Sequence, residues 1–384
     1  MAEEKIEGTV GTFSSHLTVS FEHRIYFTTG VFSLENPLLA KFVREHFPDS
    51  AIVAYCEEEL KLSDNITAYC NTNRLPLKAI RTIKGGEAIK KGFFEFAQEE
   101  YSSLFAGGLK RSDIVIAVGG GAVLDSIGLL AALYHRGMHF IRIPTTVLSQ
   151  DDSAMGVKNG IDFGNAKNGI GVFAVPDAVI CDFDFLYSLP QRHFVSGFAE
   201  AVKVGILKDR SLVGDIASRG GMLGTRNRQF VEDIVMRSAK CHFAHITAGG
   251  DPFERSNWRP LDYGHWLAHR LEVASDYAVS HGEAVCIGVA VDTGYAMAKG
   301  FVSKEEYSIV MQALRHCGLD DAVESAKESL DDGVSLLKGL EDFNNHLGGD
   351  FSLAMPSGLG NCREISVIDE TCMLAAINDL RSAK

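Results

Sequence analysis

Short, predominantly apolar runs alternate with longer amphipathic stretches through the first half of the chain. AIVAY (Ala51 to Tyr55), DIVIAV (Asp113 to Val118), HFIRI (His139 to Ile143) and AVIC (Ala178 to Cys181) are near-continuous in hydrophobicity, not alternating. That is the pattern of strands covered on both faces, and strands of this kind separated by helices predict a mostly parallel sheet. Beyond about Pro190 the strand signal fades, and stretches such as FVEDIVMRSAKCHFAHI and GEAVCIGVAVDTGYAMAKG read as long helices. The expectation is an α/β protein of two parts, an α/β domain over residues 1–190 and a mostly helical domain over 191–384, divided near Leu189 to His193.

Composition narrows this picture. A chain of 384 residues that is 46% hydrophobic can bury two cores. A net charge of -13 argues against a nucleic-acid or anionic-membrane surface, and no apolar run approaches the roughly 20 residues that span a bilayer. The eight cysteines form no CxxC pair, and MAEEKIEGTV lacks the pattern of a signal peptide, so a reduced, cytoplasmic protein is expected. Any anionic ligand must then be held by a local cluster of cations.

Candidate chemistry begins where DIVIAV runs into Gly119, Gly120 and Gly121 and a helical stretch follows. Glycines at a strand-to-helix turn let backbone amides approach a pyrophosphate at the helix N-terminus. The turn alone is a weak signal. GGEAIKKG adds Glu87 and Lys90 one turn apart, and IPTT ends the next strand with Thr145 and Thr146, so the three elements together predict a nucleotide site. Further along, RPLDYGHWLAH places His265 and His269 on one helix face, and SHGEAV adds His281. A histidine pair four apart is one metal-binding pattern, and a carboxylate with two imidazoles is another.

The segments VLSQDDSAMGVKNGIDFGNAKNGIG, SGFAEAVKVGILKD, RPLDYGHWLAH and SHGEAVCIG, in this order, resemble the 3-dehydroquinate synthase superfamily, the sugar phosphate cyclases. The resemblance runs from about Tyr26 to the region of Met355. It implies an N-terminal Rossmann-like NAD-binding domain, a C-terminal mostly α-helical metal-binding domain, NAD and one Zn2+ (or Co2+) as cofactors, and a homodimer. By the same resemblance Glu200, His265 and His281 would be the metal ligands. His269, Lys158, Asn168 and Lys203 would hold substrate phosphate and hydroxyls, Asp152 and Asp262 would complete the active site, and Arg136 would reach the neighbouring subunit's site. Glu87, Lys90, Gly119, Gly120, Gly121, Asp125, Thr145, Thr146, Lys167 and Ser188 would face NAD. The implied reaction is transient oxidation of a sugar phosphate by NAD, phosphate elimination, return of the hydride and aldol closure, so that NAD is recycled.

The chain departs from the dehydroquinate synthase pattern R-x-x-L-N-x-G-H, which a lysine precedes. Counting back from His265, Trp258 stands at the Arg position and Asp262 at the Asn position, with Arg259 displaced by one and followed by Pro260. The Lys position falls at Ala244, or at His242 with a two-residue insertion, and a late phosphate-binding lysine is replaced by Asn345 or His346 in DFNNHLGGDF. Arg and Lys are the natural partners of a substrate carboxylate. Their displacement predicts an uncarboxylated substrate such as sedoheptulose 7-phosphate, as for the 2-epi-5-epi-valiolone synthases of cyclitol biosynthesis, although many of those replace the histidine that is retained here as His269. The alternatives are 3-dehydroquinate synthase itself, with Arg259 recruited for the carboxylate, and a metal-dependent polyol dehydrogenase. Lys158, Asn168 and Lys203 speak against the latter, because alcohol oxidation needs no phosphate cradle.

Overall fold

The computed structural model describes residues 13–382, apart from 165, 250, 257, 331, 332 and 348–350. Six strands form one parallel sheet in the order β1-β8-β5-β4-β2-β3. These are β1 (Ile25–Thr28), β2 (Ile52–Glu57), β3 (Leu77–Ile83), β4 (Ile114–Gly119), β5 (His139–Pro144) and β8 (Ala178–Asp182). The four strands expected from sequence are β2, β4, β5 and β8, the inner ones. Their hydrophobicity is continuous because alternate residues enter different cores. Val53, Tyr55, Val115 and Ala117 pack on one face, while Ile52, Ala54, Ile114 and Ile116 pack on the other. The edge strands β1 and β3 escape the pattern because most of their residues are only half-buried.

A second departure is the antiparallel hairpin of β6 (Lys158–Phe163) and β7 (Ala166–Phe173), which packs on helix α1 (Gly121–Leu133). Its sequence, KNGIDFGNAKNGIGVF, is too rich in Gly and Asn to read as strand. The helical half is built around α2 (Ala199–Lys208), α3 (Arg228–Ala248), α4 (His265–Ala274) and α5 (His281–Ala298), with α6 (Gly333–Leu347) packed on α4. It also carries a short antiparallel pair, β9 (Leu353–Pro356) and β10 (Cys362–Ile365), within a half expected to be mostly helical. Among the described residues no helix is long and apolar enough to cross a membrane.

Candidate active site between the sheet and the helical half

The carboxyl ends of β2, β4 and β5 face α4 and the start of α5 across a cleft of about 2180 Å³. Open parallel sheets bind ligands at this end, because helix N-termini and strand-to-helix loops converge there. On the sheet side Gly120 and Gly121 line the cleft with Glu87, Lys90, Asp125, Thr145, Thr146, Lys167, Asn168 and Ser188. Lys90 is buried, and its Nζ donates to Asp125 Oδ2 and to Asn168 Oδ1, both at 2.8 Å. Asn168, expected around the substrate ring, is bonded to Lys90, one of the residues expected to face NAD, and is held there by a left-handed backbone (φ 53) and by its N–H to Asp162. Gly119 does not line the cleft. Its Cβ position is filled by Val123 and Glu57, so its glycine serves packing. Thr146 uses its hydroxyl to cap the helical turn at Val147–Asp151, accepting from Ser149 N.

On the helical side Glu200, His265 and His281 offer ligand atoms within 4.8 Å of one another. Glu200 sits on α2 with no exposed surface, and its Oε1 accepts no hydrogen bond. The Nε2 atoms of His265 and His281 lie 3.4 and 3.6 Å from that oxygen. Their other ring nitrogens are already occupied, His265 Nδ1 at 3.2 Å from Tyr263 O and His281 Nδ1 at 3.0 Å from Glu272 Oε2. An orphaned buried carboxylate oxygen facing two oriented imidazoles fits a divalent cation with open positions. Burial alone would raise the Glu200 carboxyl, yet Lys203 and His265 hold it well below the usual range.

Local sequence explains the alignment. Gly264 adopts φ 79 and begins α4, and a side chain there would strike Val289 N at 2.7 Å. Gly288 passes just as closely to the Gly264 carbonyl, so two glycines let α4 and α5 approach and bring His265 to His281. Ser280 and Glu283 form a capping box at the start of α5, braced by Arg192, whose Nη2 donates to Glu283 Oε2 at 2.7 Å.

Between the two sides stand the remaining polar groups. Asp152 Oδ1 lies 2.8 Å from His242 Nδ1 and 3.3 Å from Lys203 Nζ, and Lys203 Nζ is 2.6 Å from Glu200 Oε2. Burial would lower the ammonium of Lys203, but Asp152 and Glu200 reverse the shift and keep it charged. Lys158 Nζ is 2.6 Å from Glu254 Oε2, and Arg259 Nε lies 3.8 Å from the same oxygen. Asp262 lines this wall with them. His269 also lines the cleft, 5.5 Å from His265 between ring centres, and burial pushes its pKa well down, leaving a neutral imidazole.

Three placements bear on the sequence reading. Of the two candidates for the lysine position, His242 faces the cleft while Ala244 is exposed. Arg259, despite its displacement, also reaches the cleft, so one of the two cations expected to be lost is present. Arg136 is exposed on the turn ahead of β5, at the opposite end of the strand from Thr145, and does not line its own chain's cleft. The side chains of Asn345 and His346 lie outside the described residues.

Sequence reasoning missed Glu57, Glu254 and Glu272. Glu57 closes β2, and its Oε2 accepts from Gly120 N at 3.0 Å, beside the predicted nucleotide loop. Burial raises its pKa. The acid ending AIVAYCE was the signal, a carboxylate at the carboxyl end of a parallel strand, where open sheets bind their ligands. Glu272, three residues after His269, was legible only as the next charge along that helix face.

The 3-dehydroquinate synthase N-terminal family matches residues 80–196, and the C-terminal family of the same enzyme matches 197–338. The chain belongs to the 3-dehydroquinate synthase family. A 3-dehydroquinate synthase of Sulfolobus acidocaldarius is 31% identical over 290 residues, covering 75% of this chain and 81% of the relative. A 2-epi-valiolone synthase of Actinosynnema mirum is 34% identical over 277 residues, 71% of each. Among solved structures, the 2-epi-5-epi-valiolone synthase of Streptomyces hygroscopicus subsp. jinggangensis 5008, with NAD+ and Zn2+ bound, superposes with a TM-score of 0.83 at 24% identity, over 96% of this chain and 99% of that one. The 3-dehydroquinate synthase family thus accounts for the fold, including the sheet, the helical half and the cleft between them.

Proposed function

We propose that this member of the 3-dehydroquinate synthase family cyclises an uncarboxylated ketose phosphate, sedoheptulose 7-phosphate or a close analogue, to a cyclitol with loss of phosphate. The observation that carries the reading is the wall beside Lys158, where Arg259 is turned toward Glu254 and Asp262 adds a second carboxylate. A substrate carboxylate there would meet two anions, and two cations, Lys158 and Arg259, that already share Glu254 as a partner. Each missing charge-assisted hydrogen bond costs roughly 1.5–3 kcal/mol, about one to two orders of magnitude in specificity.

Glu200, His265 and His281 would hold the metal, and Gly120, Lys90 and Asp125 would face NAD. When bound, these groups supply reversible hydride acceptance and charge stabilisation at the substrate oxygen. The chain's own contribution is positioning and proton handling. Lys158 and the neutral His269 would take the phosphate, and Asp152, between His242 and Lys203, would accept a proton from a substrate hydroxyl. A homodimer in which Arg136 enters the neighbouring cleft belongs to the same proposal.

The test is a phosphate-release assay on sedoheptulose 7-phosphate and on the carboxylated heptulosonate phosphate, with reduced cofactor followed in parallel. Preferred turnover of the former without accumulation of NADH is expected. The second reading, 3-dehydroquinate synthase, is supported by the presence of Arg259 in the cleft and by relatives of that name at 30–33% identity. Efficient turnover of the carboxylated substrate that collapses in Arg259→Ala would establish it and remove the first. NADH accumulating mole for mole with substrate would remove both in favour of a dehydrogenase.

A further inference from the structure

Glu272 lies on α4 with 1% of its side chain exposed and faces two partners at once. Its Oε2 is 3.0 Å from His281 Nδ1, and its Oε1 pairs with the ammonium of Lys167, itself 7% exposed. Lys167 belongs to β7 on the sheet side of the cleft, and His281 opens α5 on the helical side. The same strip of chain is tied across the cleft again at Tyr277, whose hydroxyl donates to Asp162 Oδ2 at 3.4 Å and whose ring lies 4.2 Å from Lys91 Nζ. Asp276 and Tyr277 both take left-handed backbone conformations (φ 48 and 63), a strained turn held by those contacts.

We infer that Glu272 is a positioning residue that orients the metal ligand His281 and, through Lys167, ties that ligand to the cofactor-side hairpin. A carboxylate accepting from Nδ1 fixes the tautomer that leaves Nε2 free toward Glu200 and raises the basicity of the ring. The Lys167 ammonium holds the carboxylate in place and keeps it from serving as a ligand, although Glu272 also forms a ligand-like group with His269 and His281. The inference rests on the Glu200, His265 and His281 site and not on the choice of substrate.

The experiment is titration of the metal-free full-length protein with Zn2+ against a chromophoric chelator, without substrate, so that a failed turnover assay leaves it readable. Glu272→Gln is expected to weaken zinc binding about 10- to 100-fold, with partial recovery in Glu272→Asp. Lys167→Met is expected to weaken it by a smaller factor. Glu200→Gln should abolish tight binding, and His269→Ala should leave it intact. Zinc affinity in Glu272→Gln within a factor of two of the parent would overturn the orienting role. Should that variant not fold, an unchanged affinity in Lys167→Met would overturn the link to the hairpin. Tight zinc binding retained in Glu200→Gln but lost in both Glu272→Gln and His269→Ala would make Glu272 a ligand, and the inference would fall.

Discussion

Asp152 Oδ1 lies 2.8 Å from His242 Nδ1 across the cleft floor, joining the loop after β5 to the long helix α3. Because Lys203 stands on the other side of the same oxygen, His242 sets where this carboxylate points. Burial alone would raise the Asp152 carboxyl, but Lys203 and His242 hold it below its ordinary value. His242→Ala is expected to lower kcat/KM about 10- to 100-fold, the loss of one hydrogen bond to a charged group. The loss should fall mainly on kcat, with zinc content unchanged. Steady-state kinetics on the metal-loaded enzyme check this, and an unaltered kcat would remove His242 from the proton-handling group.

Gly120 and Gly119 separate binding from folding at the nucleotide loop. A Cβ on Gly120 would come no nearer than 3.4 Å to Thr146 and has an ordinary φ of -73, so Gly120→Ala should fold with near-parental stability. Its methyl would nonetheless stand where a pyrophosphate must approach the amides, and NAD affinity measured by calorimetry should fall at least tenfold. Gly119→Ala would instead strike Val123 and Glu57 at under 3 Å, and should lower the melting temperature.

Gly264→Ala should damage fold and metal site together. The left-handed conformation costs a non-glycine residue about 1–3 kcal/mol, and the added methyl meets the backbone of α5 at 2.7 Å. A melting temperature lowered by several degrees with reduced zinc stoichiometry in the folded fraction is the expected result. Full zinc occupancy at parental stability would show that the α4–α5 approach does not depend on this glycine.

Asp292, wholly buried on α5, accepts from Trp266 Nε1 and from Gly264 N, both at 2.9 Å, and burial pushes its pKa up to about 7 from an ordinary 3.8. The native state therefore binds more protons than the unfolded chain between about pH 4 and 7, so this group's contribution to stability falls as pH rises through that window. Its slope is at most about 1.4 kcal/mol per pH unit. Asp292→Asn removes the titration. The stability advantage of the parent over this variant should shrink between pH 5 and 8 in denaturant unfolding, and a constant difference would mean that Asp292 stays ionised throughout.

The periodicity of the chain by itself determined the inner sheet, because β2, β4, β5 and β8 are apolar on both faces wherever a helix layer covers each side. It did not reach the edge strands or the β6–β7 hairpin, where half-burial and glycine leave little hydrophobic signal. The family resemblance, and not spacing, singled out Glu200, His265 and His281 over the His265–His269 pair, and the structure brings those three side chains together. Only the tertiary structure decided what each of those groups is bound to. Glu272 and Lys167 are 105 residues apart in sequence and meet across the cleft, Asn168 accepts from Lys90, and Arg259 turns to Glu254. Such pairings depend on how two packed halves face one another, and no local spacing records that.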